Sequence, residues 1–267
     1  VLRPRRSAKE IEILNWLGSD RPYTGTEDKI TIPHVYHSDV DSGVILMENA
    51  PGITLHSLIG KPVFDKACAA AGRLLRNFHS LDASELQSRT ATDEIAGFEK
   101  RFDVAFKLYP RLSNSFESTL ERLKKSQTHL AGQHADVCVH GDFYDKQVLY
   151  SAGKTTLLDC ENVMRADAAL DYGNFLAHLI LRRLQAPEHA QSFDNGVKAF
   201  AGGYGEIDPD FTVRACWRLA ATLTRLAVLY SLRPRWRHLA PILLKEAGRH
   251  LDQEKTIPGG INAINSF

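Results

Sequence analysis

The fold is decided by two neighbouring stretches, His140-Gly141-Asp142-Phe143-Tyr144-Asp145-Lys146-Gln147 and Leu157-Leu158-Asp159-Cys160-Glu161. The residues between them form two short runs of β-favouring side chains on either side of Gly153. This pattern predicts a β-hairpin with strands at 148–150 and 155–158. Gln147 enters the first strand and Asp159 leaves the second at nearly equal distances from the turn. Their side chains are therefore expected to converge at one end of the hairpin.

A polar loop at 140–146 follows a short β-rich run at 137–139 and should reach the same end of the hairpin. Together the two stretches supply a cluster of oxygen ligands: Asp142, the Gln147 amide, Asp159 and Glu161. Mg²⁺ is typically held by one or two carboxylates and keeps its remaining positions for water and phosphate. The cluster therefore favours metal-assisted phosphoryl transfer as the reaction class.

Several polar residues nearby have less specific interpretations. Asp145, Lys146 and Glu161 either contact phosphate or metal or are solvated surface charges, and the sequence leaves this open. Asp171 is expected to begin a helix or to brace a loop rather than to take part in the reaction. His79 lies on the apolar face of a helical pattern and is expected to be a hydrogen-bonded interior histidine.

The two stretches resemble the aminoglycoside phosphotransferase and choline kinase-like family. Its usual pattern is H-G-D-x-x-x-x-N, then an apolar pair before D-x-D, D-x-E or D-x-G; this chain matches except that Gln147 replaces Asn. Four further segments resemble, in the family's order, a small-lobe helix, the interlobe hinge, a large-lobe helix and the segment after the metal loop: Glu10-(x)3-Leu14-(x)2-Leu17, residues 45–52, Leu74-(x)3-Phe78-His79 and residues 171–175. The resemblance implies an α+β, protein-kinase-like fold with a small antiparallel-sheet N-lobe and a larger, mostly helical C-lobe.

A domain boundary near residue 50 is predicted by the turn signal at 48–52. Residues 1–50 would form a partial N-lobe with the third strand, a helix, two strands at 33–37 and 43–47, and the hinge. Residues 51–267 would form the helical C-lobe with the catalytic loop and the metal-binding hairpin. Because the chain begins at what resembles the third strand, we expect the first N-lobe strands and their phosphate-covering loop either to precede Val1 or to be absent.

Roles for the loop and hairpin residues follow from the resemblance. Asp142 would accept the proton of a substrate hydroxyl or orient that hydroxyl, and His140 would brace the loop. Gln147 and Asp159 would hold Mg²⁺ on the nucleotide phosphates, with Glu161 as a further candidate ligand. Positioning and charge neutralisation would then supply most of the catalysis.

The resemblance also implies an ATP site. Glu48 and Ala50 would present backbone groups to adenine at the hinge, and Leu149 and Leu158 would be apolar neighbours beneath the ring. Arg3 and Glu10 would steady the phosphates. Arg3 stands where the family's third strand carries Lys or sometimes Arg, and Glu10 would pair with it.

Composition excludes several classes of partner. The 267 residues carry 33 Lys and Arg against 32 Asp and Glu, so a net charge of +1 provides no global basic field for nucleic acid. The apolar runs are shorter than the ~18 uncharged residues of a membrane span, and no membrane partner is expected. Four cysteines, far apart and without a C-x-x-C pair, indicate reduced thiols and a cytoplasmic location.

We therefore expect an ATP-dependent phosphotransferase that acts on a hydroxyl of a small metabolite or antibiotic-like acceptor. The alternative, from another functional class, is a catalytically impaired nucleotide-binding or interaction module of the same fold. A protein kinase is disfavoured because Gly141 and Tyr144 stand where its catalytic loop carries Arg and Lys.

The acceptor is expected to be neutral or anionic. In the family the acceptor is held mainly by C-terminal helices, and residues 172–252 here carry 11 Lys and Arg against 7 Asp and Glu, a difference of 11 − 7 = +4. A polycationic acceptor would favour carboxylates instead, provided that the arginines face the cleft.

Overall fold

The structure is a computed structural model that describes residues 4–23, 29–93, 95–97, 102, 110–127 and 136–253. The helices with defined bounds are α1 (Pro4–Gly18), α2 (Leu55–Leu58), α3 (Phe64–His79), α4 (Ser113–Gln127), α5 (Ala169–Gln185), α6 (Ala190–Tyr204), α7 (Pro209–Ser231) and α8 (Ala240–Gln253). The strands are β1 (Val35–Asp39), β2 (Val44–Met47), β3 (Ile53–Thr54), β4 (Val137–Val139), β5 (Val148–Ser151), β6 (Lys154–Leu157) and β7 (Met164–Ala166). Small sheets and many helices agree with the predicted α+β class.

The chain forms two compact units. The first comprises the described parts of Val1–Ser88, Asp136–Asp171 and Asn195–Glu206, and the second comprises those of Arg89–Ala135, Tyr172–Asp194 and Ile207–Phe267. The predicted lobe boundary near residue 50 stays a prediction. The predicted third strand includes Arg3, which lies outside the described residues.

Three small antiparallel sheets lie in the first unit: β1 with β2, β4 with β7, and a three-stranded sheet in the order β3-β5-β6. The predicted hairpin is present, with Val148 paired to Leu157 and Gly153 in the left-handed region at φ 86°. The first predicted strand begins two residues later than expected. Pro33 has no N–H to contribute to a ladder, and pairing with β2 starts at Val35.

Helices α3 and α6 pack together through glycine in the same unit. A Cβ atom on Gly72 would lie 2.2 Å from the carbonyl oxygen of Phe200, and one on Gly203 would lie 2.0 Å from that of Ala69. Real side chains cannot approach this closely, so the two helix backbones are in direct contact. This contact fixes the position of α6 relative to α3.

The core of the second unit is built on α7, whose neighbours are α4 and α8. Pro209 occupies the first turn of α7, and Asp208 caps the helix by accepting a hydrogen bond from the Phe211 amide. Trp217, which is fully buried, donates its Nε1–H to the carbonyl oxygen of Leu123 on α4. A buried indole with a hydrogen-bonded N–H satisfies both its apolar and its polar parts.

The helices and the cysteines have two further general properties. No helix in the described ranges is both long enough and apolar enough to cross a lipid bilayer. All four cysteines, Cys68, Cys138, Cys160 and Cys216, are buried free thiols.

Candidate active site

The two ends of the β5–β6 hairpin meet through their side chains, as the sequence predicts. Gln147 Nε2 donates a hydrogen bond of 2.7 Å to Asp159 Oδ2, and the amide of Leu158 donates one of 2.8 Å to the Gln147 carbonyl. Gln147 is buried, whereas Asp159 is exposed and takes the left-handed conformation at φ 57° and ψ 55°. The hairpin therefore exposes the Asp159 carboxylate to solvent, while the buried Gln147 amide holds that carboxylate by a hydrogen bond.

His140 joins the loop to the hairpin. Its ring is fully buried, with Nε2 at 2.8 Å from the Leu158 carbonyl oxygen and Nδ1 at 3.3 Å from the Asp142 amide nitrogen. A carbonyl can only accept and an amide N–H can only donate, so the ring must be neutral with its proton on Nε2. His140 thus braces the loop as predicted, because one imidazole connects Asp142 to the strand end that carries Asp159.

Asp171 holds the same loop from the other side. Its Oδ2 accepts from the His140 amide at 2.6 Å and its Oδ1 accepts from the Gly141 amide at 2.9 Å. Gly141 has a φ of 80°, and a Cβ there would lie 2.5 Å from the carbonyl oxygen of Asn162. The loop thus needs glycine at this position for both conformation and space. The predicted loop-bracing role of Asp171 agrees with these contacts.

Asp145 is not a solvated surface charge. Its side chain is fully buried and its Oδ2 lies 2.7 Å from His56 Nδ1, while its carbonyl oxygen accepts from the His56 amide at 3.0 Å. No local pattern in the sequence predicts this role, because the two residues are 89 positions apart. Of the other two open cases, Lys146 is exposed and Glu161 is buried, with Asn162 Nδ2 at 3.5 Å from Glu161 Oε1.

The residues assigned to adenine have distinct surroundings. The Glu48 amide donates to the His34 carbonyl at 2.7 Å, so only the carbonyl of Glu48 remains to serve as an adenine partner. Ala50 is half-buried in the segment that follows β2. Leu149 is buried on β5, and Leu158 is half-buried at the end of β6. Their roles in nucleotide binding stay predictions.

Helix α1 packs against the turn Cys160–Asn162, which directly follows Asp159. Burial, with smaller contributions from the carboxylates of Asp159 and Glu10, raises the pKa of the Cys160 thiol to about 12. Glu10 is therefore close enough to this turn to act on it electrostatically. The predicted partner of Glu10, Arg3, lies outside the described residues.

The donor set fits a magnesium ion that retains water and phosphate ligands. In the described part of the chain, no three His, Cys, Asp or Glu side chains are gathered as a metal cage. Asp159 offers an exposed carboxylate, and Gln147 could present its amide oxygen after a half-turn of the amide group. Mg²⁺ is commonly bound by one or two carboxylates together with substrate phosphates, so a closed cage is not required.

Comparisons with known proteins identify the fold. The chain is similar to a choline/ethanolamine kinase family protein from Mesorhizobium loti, with 16% identity and a TM-score of 0.58 over 100% of this chain and 84% of that one. It is similar to a thermostable mutant of aminoglycoside phosphotransferase APH(4)-Ia, solved with AMP-PNP and hygromycin B, with 16% identity and a TM-score of 0.62 over 93% of this chain and 83% of that one. The chain is also similar to ADP-bound aminoglycoside phosphotransferase APH(2'')-Ib, with 13% identity and a TM-score of 0.55 over 93% of this chain and 81% of that one.

These similarities confirm the predicted protein-kinase-like fold, with small antiparallel sheets and a large helical part. No curated protein matches the chain. The model of the phosphotransferase enzyme family, APH, matches residues 2–209, which include the loop, the hairpin and Asp171. The chain therefore belongs to the phosphotransferase enzyme family.

Proposed function

We propose that this chain is an ATP-dependent small-molecule kinase that transfers the γ-phosphoryl group to a hydroxyl of its acceptor. The observation that carries the proposal is the His140 bridge, which binds the Asp142 amide with one ring nitrogen and the Leu158 carbonyl with the other. A candidate base and a candidate metal ligand, Asp159, are thereby held on one connected framework. Membership of the phosphotransferase family supports the reaction class.

ATP is proposed as the phosphoryl donor and Mg²⁺ as its companion ion. Structures with the same fold hold AMP-PNP with hygromycin B, or ADP with spectinomycin. In this chain Asp159 and Gln147 would hold the ion, while the Glu48 carbonyl, Ala50, Leu149 and Leu158 would receive adenine. When bound, Mg²⁺ would neutralise negative charge on the phosphates.

The chemical step needs little covalent chemistry from the protein. The acceptor oxygen forms a bond to the γ-phosphorus, the bond from that phosphorus to the β–γ bridging oxygen breaks, and ADP leaves. The hydroxyl proton passes to the Asp142 carboxylate. Because the Asp142 amide is bonded to His140 and the two preceding amides are bonded to Asp171, the loop that carries this carboxylate is fixed by buried groups.

A neutral or anionic acceptor is proposed in preference to a polycation. The excess of four cationic residues over residues 172–252 supports this. Part of that charge is already paired inside the second unit, since Arg183 contacts Asp194 and Arg249 contacts Glu246. Arg225 instead donates to the neutral amide oxygen of Asn174 at 2.8 Å. The buried free thiols support a reducing compartment such as the cytoplasm.

An acceptor panel tests the proposal. ADP formation is measured with Mg-ATP and with choline, ethanolamine, hygromycin B, spectinomycin, neutral sugars and hydroxy acids. We expect one chemical class to stimulate turnover, and Asp142→Asn to lower the stimulated rate by about 100-fold or more, the usual contribution of a positioned base. Asp41→Asn, an exposed carboxylate in the β1–β2 turn, is the matched control and should leave the rate unchanged.

Two results would contradict the proposal. Equal stimulated rates for Asp142→Asn and the parent chain would remove Asp142 from the reaction. Tight Mg-ATP binding without transfer to any class of acceptor would instead support the nucleotide-binding module. Calorimetric titration with Mg-ATP, run in parallel with the panel, separates these outcomes.

A further inference from the structure

A chain of buried polar contacts runs from the end of α6 to the catalytic loop. Tyr204 Oη lies 2.9 Å from His79 Nδ1, and His79 Nε2 lies 3.4 Å from Asp171 Oδ2. Tyr204 and His79 are 5% and 8% exposed. Asp171 is the carboxylate that accepts the loop amides of His140 and Gly141. Tyr204 and His79 have no part in the reaction described above.

We propose that Tyr204 is a positioning residue: its hydroxyl fixes the tautomer of His79, and His79 in turn holds Asp171 where it braces the catalytic loop. The inference deepens the proposed kinase function and rests on it only for its kinetic measurement.

The tautomer follows from the donors and acceptors around the imidazole. The ionised Asp171 carboxylate can only accept, so the His79 nitrogen that faces it must carry the proton. In the neutral ring the other nitrogen, Nδ1, is then an acceptor and needs a donor. The Tyr204 hydroxyl, at 2.9 Å, is that donor. Without it, a buried Nδ1 loses its partner and the proton is no longer held on the side of Asp171.

Packing between α3 and the end of α6 fixes the position of the Tyr204 hydroxyl. The guanidinium of Arg76 lies over the Tyr204 ring at 5.5 Å and also donates to the Glu206 carbonyl at 3.3 Å. A Cβ on Gly72 would lie 2.6 Å from the Tyr204 amide nitrogen, so α3 and the end of α6 touch at this point. His79 and Arg76 are on the same helix, α3. The hydroxyl and the imidazole therefore have little freedom to move apart.

The critical variant is Tyr204→Phe, which removes only the hydroxyl. Tyr230→Phe is the matched control, because Tyr230 is also 5% exposed and lies in α7, outside this chain of contacts. Long-range ¹H–¹⁵N NMR of labelled histidine reports which ring nitrogen of His79 is protonated. Amide hydrogen exchange reports how firmly the His140 and Gly141 amides are held.

In the parent chain and in Tyr230→Phe, His79 should show a protonated Nε2 and an unprotonated Nδ1. In Tyr204→Phe we expect a mixture of tautomers and exchange of the His140 and Gly141 amides about 10-fold faster. The kcat should fall about 10-fold with the KM for ATP within about 2-fold, as for other losses of a supporting hydrogen bond. His79→Gln, whose amide can still donate to Asp171, should keep more activity than His79→Leu.

An unchanged His79 tautomer and unchanged amide exchange in Tyr204→Phe would overturn the inference. Equal activity of His79→Gln and His79→Leu would overturn the part that concerns Asp171. If the parent chain itself transfers no phosphoryl group, the kinase proposal fails, whereas the two spectroscopic measurements still decide the role of Tyr204.

Discussion

The β1–β2 and β5–β6 hairpins of the first unit have strands of similar length but opposite surroundings. In the β5–β6 hairpin, Val148 and Leu157 are fully buried. In the β1–β2 hairpin, Tyr36, Val44 and Leu46 are 63%, 54% and 58% exposed. Runs of apolar residues predict the strands of both hairpins equally well, but they do not determine which hairpin is buried.

The backbone segments beside each hairpin explain the difference in burial. The β5–β6 hairpin has β3 on one edge, and on the other the Leu157 amide donates to the Thr31 carbonyl. The β1–β2 sheet has two strands among the described residues and an irregularity between Val35 and His37. A two-stranded sheet alone is marginal in water, whereas added strands and a buried face stabilise it. Contacts beyond the hairpin thus account for the burial of the β5–β6 hairpin.

Among substitutions that add a single methyl group, the largest expected effect comes from a matched pair of glycines, one in the loop at 140–146 and one in the turn of the β5–β6 hairpin. Gly141→Ala adds a left-handed strain and a Cβ at 2.5 Å from a carbonyl oxygen, whereas Gly153→Ala adds the strain alone. We expect the free energy of unfolding to fall by about 2–5 kcal/mol for Gly141→Ala and by about 1–2 kcal/mol for Gly153→Ala. Urea unfolding measures both, and equal losses would show that the loop is not confined.

The second effect concerns metal-dependent nucleotide binding. Asp159→Asn keeps an oxygen for Gln147 and a residue type that tolerates the left-handed conformation, but it removes the charge. We expect about 100-fold weaker Mg-ATP binding, and less than about 10-fold weakening for Glu161→Gln, whose carboxylate is buried beside Asn162. Calorimetry with and without Mg²⁺ measures both variants. Equal weakening would make Glu161 a full ligand.

The smallest effect should come from the exposed hairpin. Leu46→Lys replaces a side chain that is 58% exposed, so the free energy of unfolding should change by no more than about 0.5 kcal/mol. Binding of an apolar fluorescent dye should decrease, because a large exposed hydrophobic group is removed. Leu157→Lys, at a fully buried position, is the contrast and should prevent folding. A large loss of stability in Leu46→Lys would mean that the β1–β2 surface is covered in solution.

The sequence predicts best those features that depend on short spacing. The hairpin around Gly153 and the meeting of Gln147 with Asp159 follow from a separation of 12 residues and the alternation of strand residues. Local spacing is enough in these cases because the turn geometry brings the ends together. The bracing role of His140, in contrast, was implied by the family resemblance and not by spacing.

Features that depend on tertiary packing could not be predicted in the same way. His79 and Tyr204 are 125 residues apart, and their contact depends on the backbone approach of α3 to α6 at Gly72 and Gly203. The hydrogen bond from the Glu48 amide to the His34 carbonyl also depends on the register of β1 with β2, which the sequence does not determine. Only the folded chain brings these groups together.

Because its four cysteines are buried, the chain can be labelled at an introduced cysteine without reaction of the native thiols. Burial raises the pKa of Cys68, Cys138 and Cys160, so these thiols are both inaccessible and protonated at neutral pH. Cys216 is buried as well. A cysteine introduced at position 46 or in the exposed turn at Asp41 would therefore react with a maleimide dye without prior removal of the native thiols. Single fluorophores can thus be placed on the β1–β2 hairpin while the loop at 140–146 and the β5–β6 hairpin keep their natural sequence.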